Sequence, residues 1–85
     1  MKQFNFVVQE ENGIHARPAG LLVKEAQKYQ SKISISCNGK NADAKRIFGL
    51  LGLAIKKGDK ITVEAEGNDE EAAAKDFEEY LKENF

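Results

Sequence analysis

Hydrophobic and polar positions alternate in residues 32–37 and 60–66, and residues 4–8 are rich in β-forming side chains. With a short segment at 40–42, this predicts four strands: residues 4–8, 32–37, 40–42 and 60–66. In the second segment Ile33, Ile35 and Cys37 fall on one face, because successive side chains of a strand point to opposite sides. Asn38-Gly39 follows this segment and tolerates the positive φ of a tight turn, so the third segment can pair with the second. We therefore expect a mostly antiparallel sheet with one apolar and one polar face.

Apolar residues recur at helical spacing in three other segments, which predicts helices over residues 16–29, 46–54 and 69–84. Pro18 suits only the first turn of the first helix. Asn68 followed three residues later by Glu71 matches a capping box at the start of the last helix. The stripes expected to be buried are Ala19, Leu22, Val23 and Ala26 in the first helix, and Ala73, Phe77, Tyr80 and Leu81 in the last.

The middle helical segment is short and carries many apolar residues, among them Ile47, Phe48, Leu50, Leu51 and Leu53. A small core cannot cover all of that surface, so we expect part of the segment to be exposed. The order strand, helix, strand, strand, short helix, strand, helix predicts an α+β fold of two layers.

Length and composition limit the organisation of the chain. With 85 residues, one cysteine and one histidine, we expect a single domain over residues 1–85 without internal disulfide, metal site or other cofactor. Thirteen basic and fourteen acidic residues give a net charge of −1, which argues against nucleic-acid binding. The start of the sequence lacks the apolar stretch of a signal peptide, and no segment is apolar enough to span a membrane. With the unpaired cysteine, this predicts a cytoplasmic protein that does not insert into membranes. We also expect a monomer.

Candidate chemistry lies in the segment Gly13-Ile14-His15-Ala16-Arg17-Pro18-Ala19. The glycine allows a sharp turn before the histidine, and the proline marks the first turn of the helix that follows. Helix N-termini present unpaired N–H groups and partial positive charge, so Ala16, Arg17 and Pro18 form a place where an anion is stabilised. Neutral imidazole is a nucleophile near pH 7, and the N–P bond that it forms can be transferred onward.

Each of these residues also has a simpler interpretation. A histidine at a helix start is more often a surface or capping residue than a functional one, and Arg17 is also readable as a solvated charge. Pro18 is explained by helix initiation alone. We favour phosphoryl chemistry at His15 because all three features converge on one anion-sized position.

With these motifs the sequence resembles the HPr family, the histidine-containing phosphocarriers of the bacterial sugar phosphotransferase system. Gly13 to Ala19 matches the family's active-site motif, Asn38-Gly39-Lys40 its hairpin, and residues 45–58 the segment with its second helix. The resemblance implies an open-faced β-sandwich, a four-stranded antiparallel sheet with three helices packed on one side. It also implies that Enzyme I, using phosphoenolpyruvate, phosphorylates His15 at Nδ1, that Arg17 stabilises the phosphate, and that a sugar-specific IIA component receives it. The chain would then be a phosphoryl carrier rather than a stand-alone enzyme.

The same resemblance suggests a partner-binding patch. It comprises Gly20 and Lys24 of the first helix with Arg46, Ile47, Phe48 and Leu51 of the second. Core packing is an equally good interpretation of Ile47 and of the neighbouring Leu50. Phe48 is the better interface residue, because large aromatic side chains anchor transient contacts.

One position departs from the family. Many Gram-positive members have a regulatory serine after the lysine, whereas this chain has Arg46 after Lys45. We expect HPr kinase to leave this position unmodified, because arginine has no hydroxyl. The departure keeps open a second hypothesis, a regulatory HPr-like paralogue that acts mainly as a docking module, although such a module would not need the nucleophile His15.

Overall fold

Four strands and three helices make up the chain, and the computed structural model describes all of residues 1–85. In chain order the elements are β1 (Lys2–Val7), α1 (Ala16–Ala26), β2 (Lys32–Cys37), β3 (Lys40–Asp43), α2 (Ile47–Leu51), β4 (Lys60–Glu66) and α3 (Glu70–Asn84). The predicted order of elements and the α+β class are confirmed.

The strands form one antiparallel sheet in the order β1-β4-β2-β3. The first strand pairs with the last, so that Phe4 lies opposite Val63, and β2 lies between β4 and β3. Asn38 and Gly39 join β2 to β3 with φ of 53° and 80°, the positive values that a two-residue hairpin turn requires. The predicted hairpin is therefore present.

The core lies between one face of the sheet and the helices. From the sheet it takes the alternate residues Ile33, Ile35 and Cys37 of β2 and Ile61, Val63 and Ala65 of β4, and from the helices Ala19, Leu22, Val23, Ala26, Leu50, Ala73, Phe77 and Leu81. Ser34, Ser36 and Thr62 alternate with the buried strand residues and are only half-buried. The polar face is thus not covered by helices, as expected for the open-faced β-sandwich.

Both long helices deviate from their predicted boundaries or buried stripes. α1 ends at Ala26 instead of residue 29, because the amides of Lys28 and Tyr29 bond to carbonyls three residues back and form tight turns. In α3, Tyr80 is only half-buried, whereas Phe85 at the end of the helix is buried. α2 spans five residues where we predicted nine, since the chain after Leu51 continues in turns.

The capping box predicted for α3 is wrong. The N-cap residue is Asp69 rather than Asn68, and its side chain makes no bond to its own helix. Instead its carboxylate accepts hydrogen bonds from the amides of Gln30 and Ser31, at 2.9 and 2.8 Å, and from the Ser31 hydroxyl. The Ser31 hydroxyl, followed by the backbone amides, lowers the pKa of Asp69 from its ordinary value of 3.8. A distant partner has therefore replaced the local cap.

Candidate functional site

The loop before α1 is held tightly against the segment between α2 and β4. Gly13 has φ of +64°, and a Cβ placed on it would lie 2.3 Å from the carbonyl oxygen of Ile55. The next amide, that of Ile14, donates to the same oxygen at 3.1 Å, and the Ile14 side chain is buried. Only glycine fits this approach, so the position just before His15 is fixed by backbone contacts.

His15 is the N-cap residue of α1. Its backbone is extended, with φ of −117° and ψ of −174°, and its carbonyl accepts the Ala19 amide at 2.8 Å. The imidazole is exposed and makes no capping hydrogen bond. The ring therefore lies at the surface, available to react, while its backbone is anchored on both sides.

The first turn of α1 offers unpaired positive groups beside this ring. The amides of Ala16 and Arg17 donate no hydrogen bond within the protein, and Pro18 has no N–H. The turn contains no acidic residue, and the exposed guanidinium of Arg17 forms no ion pair. Two free donors, the helix dipole and one unpaired cation therefore favour an anion at this end of the helix.

The exposed side of α1 continues from the histidine toward α2. Arg17, Gly20, Leu21 and Lys24 follow the three- and four-residue spacing of one helix face. At Gly20 this face meets the second helix, because a Cβ built there would lie 3.8 Å from Cδ1 of Ile47. The structure therefore places two of the predicted patch residues, Gly20 of α1 and Ile47 of α2, next to each other.

Within α2 the apolar residues divide between core and surface. Phe48 is 86% exposed and Leu50 is 1% exposed, while Ile47 and Leu51 are half-buried against the core. The open question about Leu50 is thus settled in favour of core packing. The Phe48 ring is exposed, so packing within the fold does not account for an aromatic residue at this position.

Leu21 belongs to this exposed face of α1 and was not among the predicted patch residues. It is 55% exposed, although its neighbour Leu22 is completely buried. Its spacing of four residues from Arg17 was the available signal, since it places Leu21 off the buried stripe. We call the residues Gly20, Leu21, Lys24, Arg46, Ile47, Phe48 and Leu51 the α1–α2 surface.

The segment before α2 ties the two helices together and presents a charge. Nζ of Lys45 donates to the carbonyl of Tyr29 at 2.7 Å, just beyond the end of α1. Arg46 is the N-cap of α2 but makes no capping bond, and its Nε lies 3.9 Å from Oδ2 of Asp43, at the limit of an ion pair. Its side chain is largely exposed, so the positive charge is available to a partner.

Cys37 lies in the core, apart from this surface. Burial, and to a lesser extent the nearby carboxylate of Asp59, raises the pKa of the thiol. Because the thiolate is the reactive form, this cysteine is a packing residue rather than a nucleophile.

The fold and the site together define a class: a small α+β protein that presents an exposed histidine at a helix N-terminus, beside an exposed apolar and basic surface. The family model for the PTS HPr component phosphorylation site matches residues 2–83. The phosphocarrier protein HPr of Buchnera aphidicola subsp. Baizongia pistaciae is 44% identical over 81 residues, which are 95% of each chain.

Solved structures agree. HPr-C-His from Thermoanaerobacter tengcongensis is 35% identical, and it superposes with a TM-score of 0.94 over 100% of this chain and 96% of that one. An HPr dimer from the same organism, also 35% identical, gives 0.76 over 98% of this chain and 95% of that one. The chain belongs to the HPr family, the phosphocarriers of the phosphotransferase system. No helix in the protein has the length and apolar character needed to cross a membrane. The monomeric state expected from the sequence stays a prediction.

Proposed function

We propose that His15 accepts a phosphoryl group from Enzyme I and passes it to sugar-specific IIA proteins. The observation that carries this proposal is the position of the exposed imidazole at the N-terminus of α1, next to the unpaired amides of Ala16 and Arg17. Membership of the HPr family supports the same role.

The transfer is a displacement at phosphorus. The lone pair of the neutral imidazole, at Nδ1 by analogy with the family, forms the new N–P bond while the bond to the donor breaks. The phosphoryl oxygens then lie near the first turn of α1, where the two free amides and Arg17 supply hydrogen bonds and positive charge. Because these groups are exposed, they stabilise the phosphorylated form without sealing it from the next acceptor.

The α1–α2 surface is the proposed docking site for both partners. Leu21 and Phe48 supply exposed apolar area, and Lys24 and Arg46 supply unburied positive charge. An apolar centre with charged surroundings is typical of transient interfaces, and the cations favour fast association with acidic partners. Arg17 lies on the same face of α1, so docking there brings the partner to His15.

Labelling with Enzyme I and radioactive phosphoenolpyruvate tests the acceptor role. We expect acid-labile, base-stable label in the parent protein and none in His15→Ala. The variant is a clean control for folding, because the His15 side chain makes no hydrogen bond at the N-cap. Label that persists in His15→Ala, or that survives acid, would contradict the proposal. An unlabelled parent would instead favour the regulatory docking module.

A matched pair of variants tests the docking site. Phe48→Ala removes an exposed ring, so we expect the KM of Enzyme I for this protein to rise about tenfold, with little change in the free energy of unfolding. Leu50→Ala, two residues away, removes a buried side chain and is expected to cost about 2–5 kcal/mol of stability with little change in KM. An unchanged KM in Phe48→Ala would exclude that ring from the interface.

A further inference from the structure

Phe85 follows the last residue of α3 and is buried against the core. Only 5% of it is exposed, and its ring centroid lies 6.4 Å from that of Tyr80. Its amide donates to the carbonyl of Leu81 at 2.8 Å, which continues the hydrogen bonding of α3 by one residue. The ring and the amide together fix the position of this residue relative to the core.

The backbone oxygen of Phe85 is directed to the loop between β1 and α1. It accepts hydrogen bonds from the amides of both Gln9 and Glu10. The carbonyl of Glu10 in turn accepts the amide of Gly13 at 2.9 Å, two residues before His15. A continuous series of backbone hydrogen bonds therefore runs from the end of α3 to the loop that carries the histidine.

The loop has little else to hold its first half. Residues 9–12 form no strand or helix, and the amides of Glu11 and Asn12 donate no hydrogen bond within the protein. The contact with Ile55 fixes only the second half, at Gly13 and Ile14. At its start, Val8 is buried, donates its amide to the carbonyl of Asp59 at 3.0 Å and accepts the amide of Gly58 at 2.8 Å. Phe85 therefore supplies the backbone contact for the stretch between Val8 and Gly13.

We propose that Phe85 is a positioning residue for phosphoryl transfer at His15: its buried ring holds the backbone oxygen that anchors the Gln9–Glu10 amides. The inference rests on the proposed function of His15. Its physical basis is that an imidazole displaced by about 1 Å from its productive position loses about 10²-fold in rate. The α1–α2 surface is not part of the anchor, so partner binding is expected to be independent of it.

The test compares Phe85→Ala with Val63→Ala, a substitution in β4 that also empties a buried site but lies outside the anchor. Both are assayed with Enzyme I and labelled phosphoenolpyruvate at a temperature at which circular dichroism shows them folded. We expect kcat to fall about tenfold or more in Phe85→Ala, with KM little changed, and to stay near the parent value in Val63→Ala. Phe85→Leu, which keeps a large apolar side chain, should recover most of the rate.

Amide hydrogen exchange gives a readout that needs no partner protein. In the parent we expect the amides of Gln9, Glu10 and Gly13 to be protected, and in Phe85→Ala these three should exchange faster, with the strand amides of β2 and β4 less affected. A Phe85→Ala protein with parental kcat, an equal loss of kcat in Val63→Ala, or unprotected Gln9 and Glu10 amides in the parent would overturn the inference. If the parent itself takes no label on His15, the proposed function fails instead, and the exchange data report on the anchor separately.

Discussion

Replacing Gly13 with alanine measures how closely the His15 loop must approach the segment after α2. The matched control is Gly39→Ala in the β2–β3 turn. Both glycines have positive φ, +64° and +80°, but a Cβ on Gly39 meets nothing within 4 Å. The two variants therefore share the cost of a left-handed alanine and differ in the clash.

The magnitude follows from the distances. A left-handed conformation costs an L-residue about 1–2 kcal/mol, partly offset by the lower entropy of the unfolded alanine chain, so we expect Gly39→Ala to lose about 1 kcal/mol. At Gly13 the new Cβ would lie 2.3 Å from the oxygen of Ile55, and relief to ordinary contact requires a movement of about 1 Å. That movement breaks the 3.1 Å bond from the Ile14 amide to the same oxygen, which adds about 1–3 kcal/mol.

We therefore expect Gly13→Ala to lose about 3 kcal/mol, roughly 2 kcal/mol more than Gly39→Ala. Urea denaturation followed by circular dichroism measures the loss of stability of each variant relative to the parent protein. Phosphorylation by Enzyme I should also slow in the folded fraction of Gly13→Ala and not in Gly39→Ala, because only the first lies in the His15 loop. Equal free energies of unfolding for the two variants would refute the close approach as the reason for glycine at position 13.

Four further substitutions test other parts of the structure. Arg17→Ala should slow phosphoryl transfer and change the free energy of unfolding by less than about 0.5 kcal/mol, because the Arg17 side chain is exposed. Leu22 is completely buried, so Leu22→Ala should lower the free energy of unfolding by about 2–5 kcal/mol and leave transfer in the folded protein unchanged. Equal losses of stability in the two variants would contradict these assignments. Ala54→Gly should raise the free energy of unfolding by about 0.5–1 kcal/mol, since Ala54 has φ of 51°, and thermal denaturation that shows no gain would argue against strain there. Hydrogen bonds from Ser31 lower the pKa of Asp69, so their contribution to stability is complete above the unfolded value near 3.8 and disappears as the pH falls through the lower folded pKa. Asp69→Asn should reduce this acid-dependent loss of stability in urea titrations at several pH values, and an unchanged pH dependence would show that the carboxylate contributes nothing.

Local patterns along the chain predicted most of the buried faces, with Tyr80 of α3, which is only half-buried, as an exception. The alternation of Ile33, Ile35 and Cys37 placed them together on the core side of β2, and the structure confirms this. The same holds for Leu22 and Val23 in α1, whose helical spacing identified the buried stripe. These predictions succeed because side-chain direction depends only on the period of the local backbone.

Local rules failed where a distant group competes for the same atoms. The capping rule assigned the start of α3 to Asn68 and Glu71, but the helix begins after Asp69, whose carboxylate is bound to Ser31, 38 residues away along the chain. The end of α1 was also placed too late, since residues 27–29 form tight turns, and beyond them the Tyr29 carbonyl is bound by Lys45 from the segment before α2. The spacing of apolar residues along the chain does not indicate hydrogen-bond partners that are distant in the sequence.

The candidate site shows both contributions. By itself, the sequence determined that a histidine precedes a helix with proline in its first turn, because these features depend on neighbouring residues. Only the tertiary structure decided that Ile55 and Phe85 hold the His15 loop from two sides and that Leu21 is exposed beside α2. The physical reason is that backbone hydrogen bonds between distant segments, and the exposure of a helix face, depend on how the elements pack rather than on the residues within any one of them.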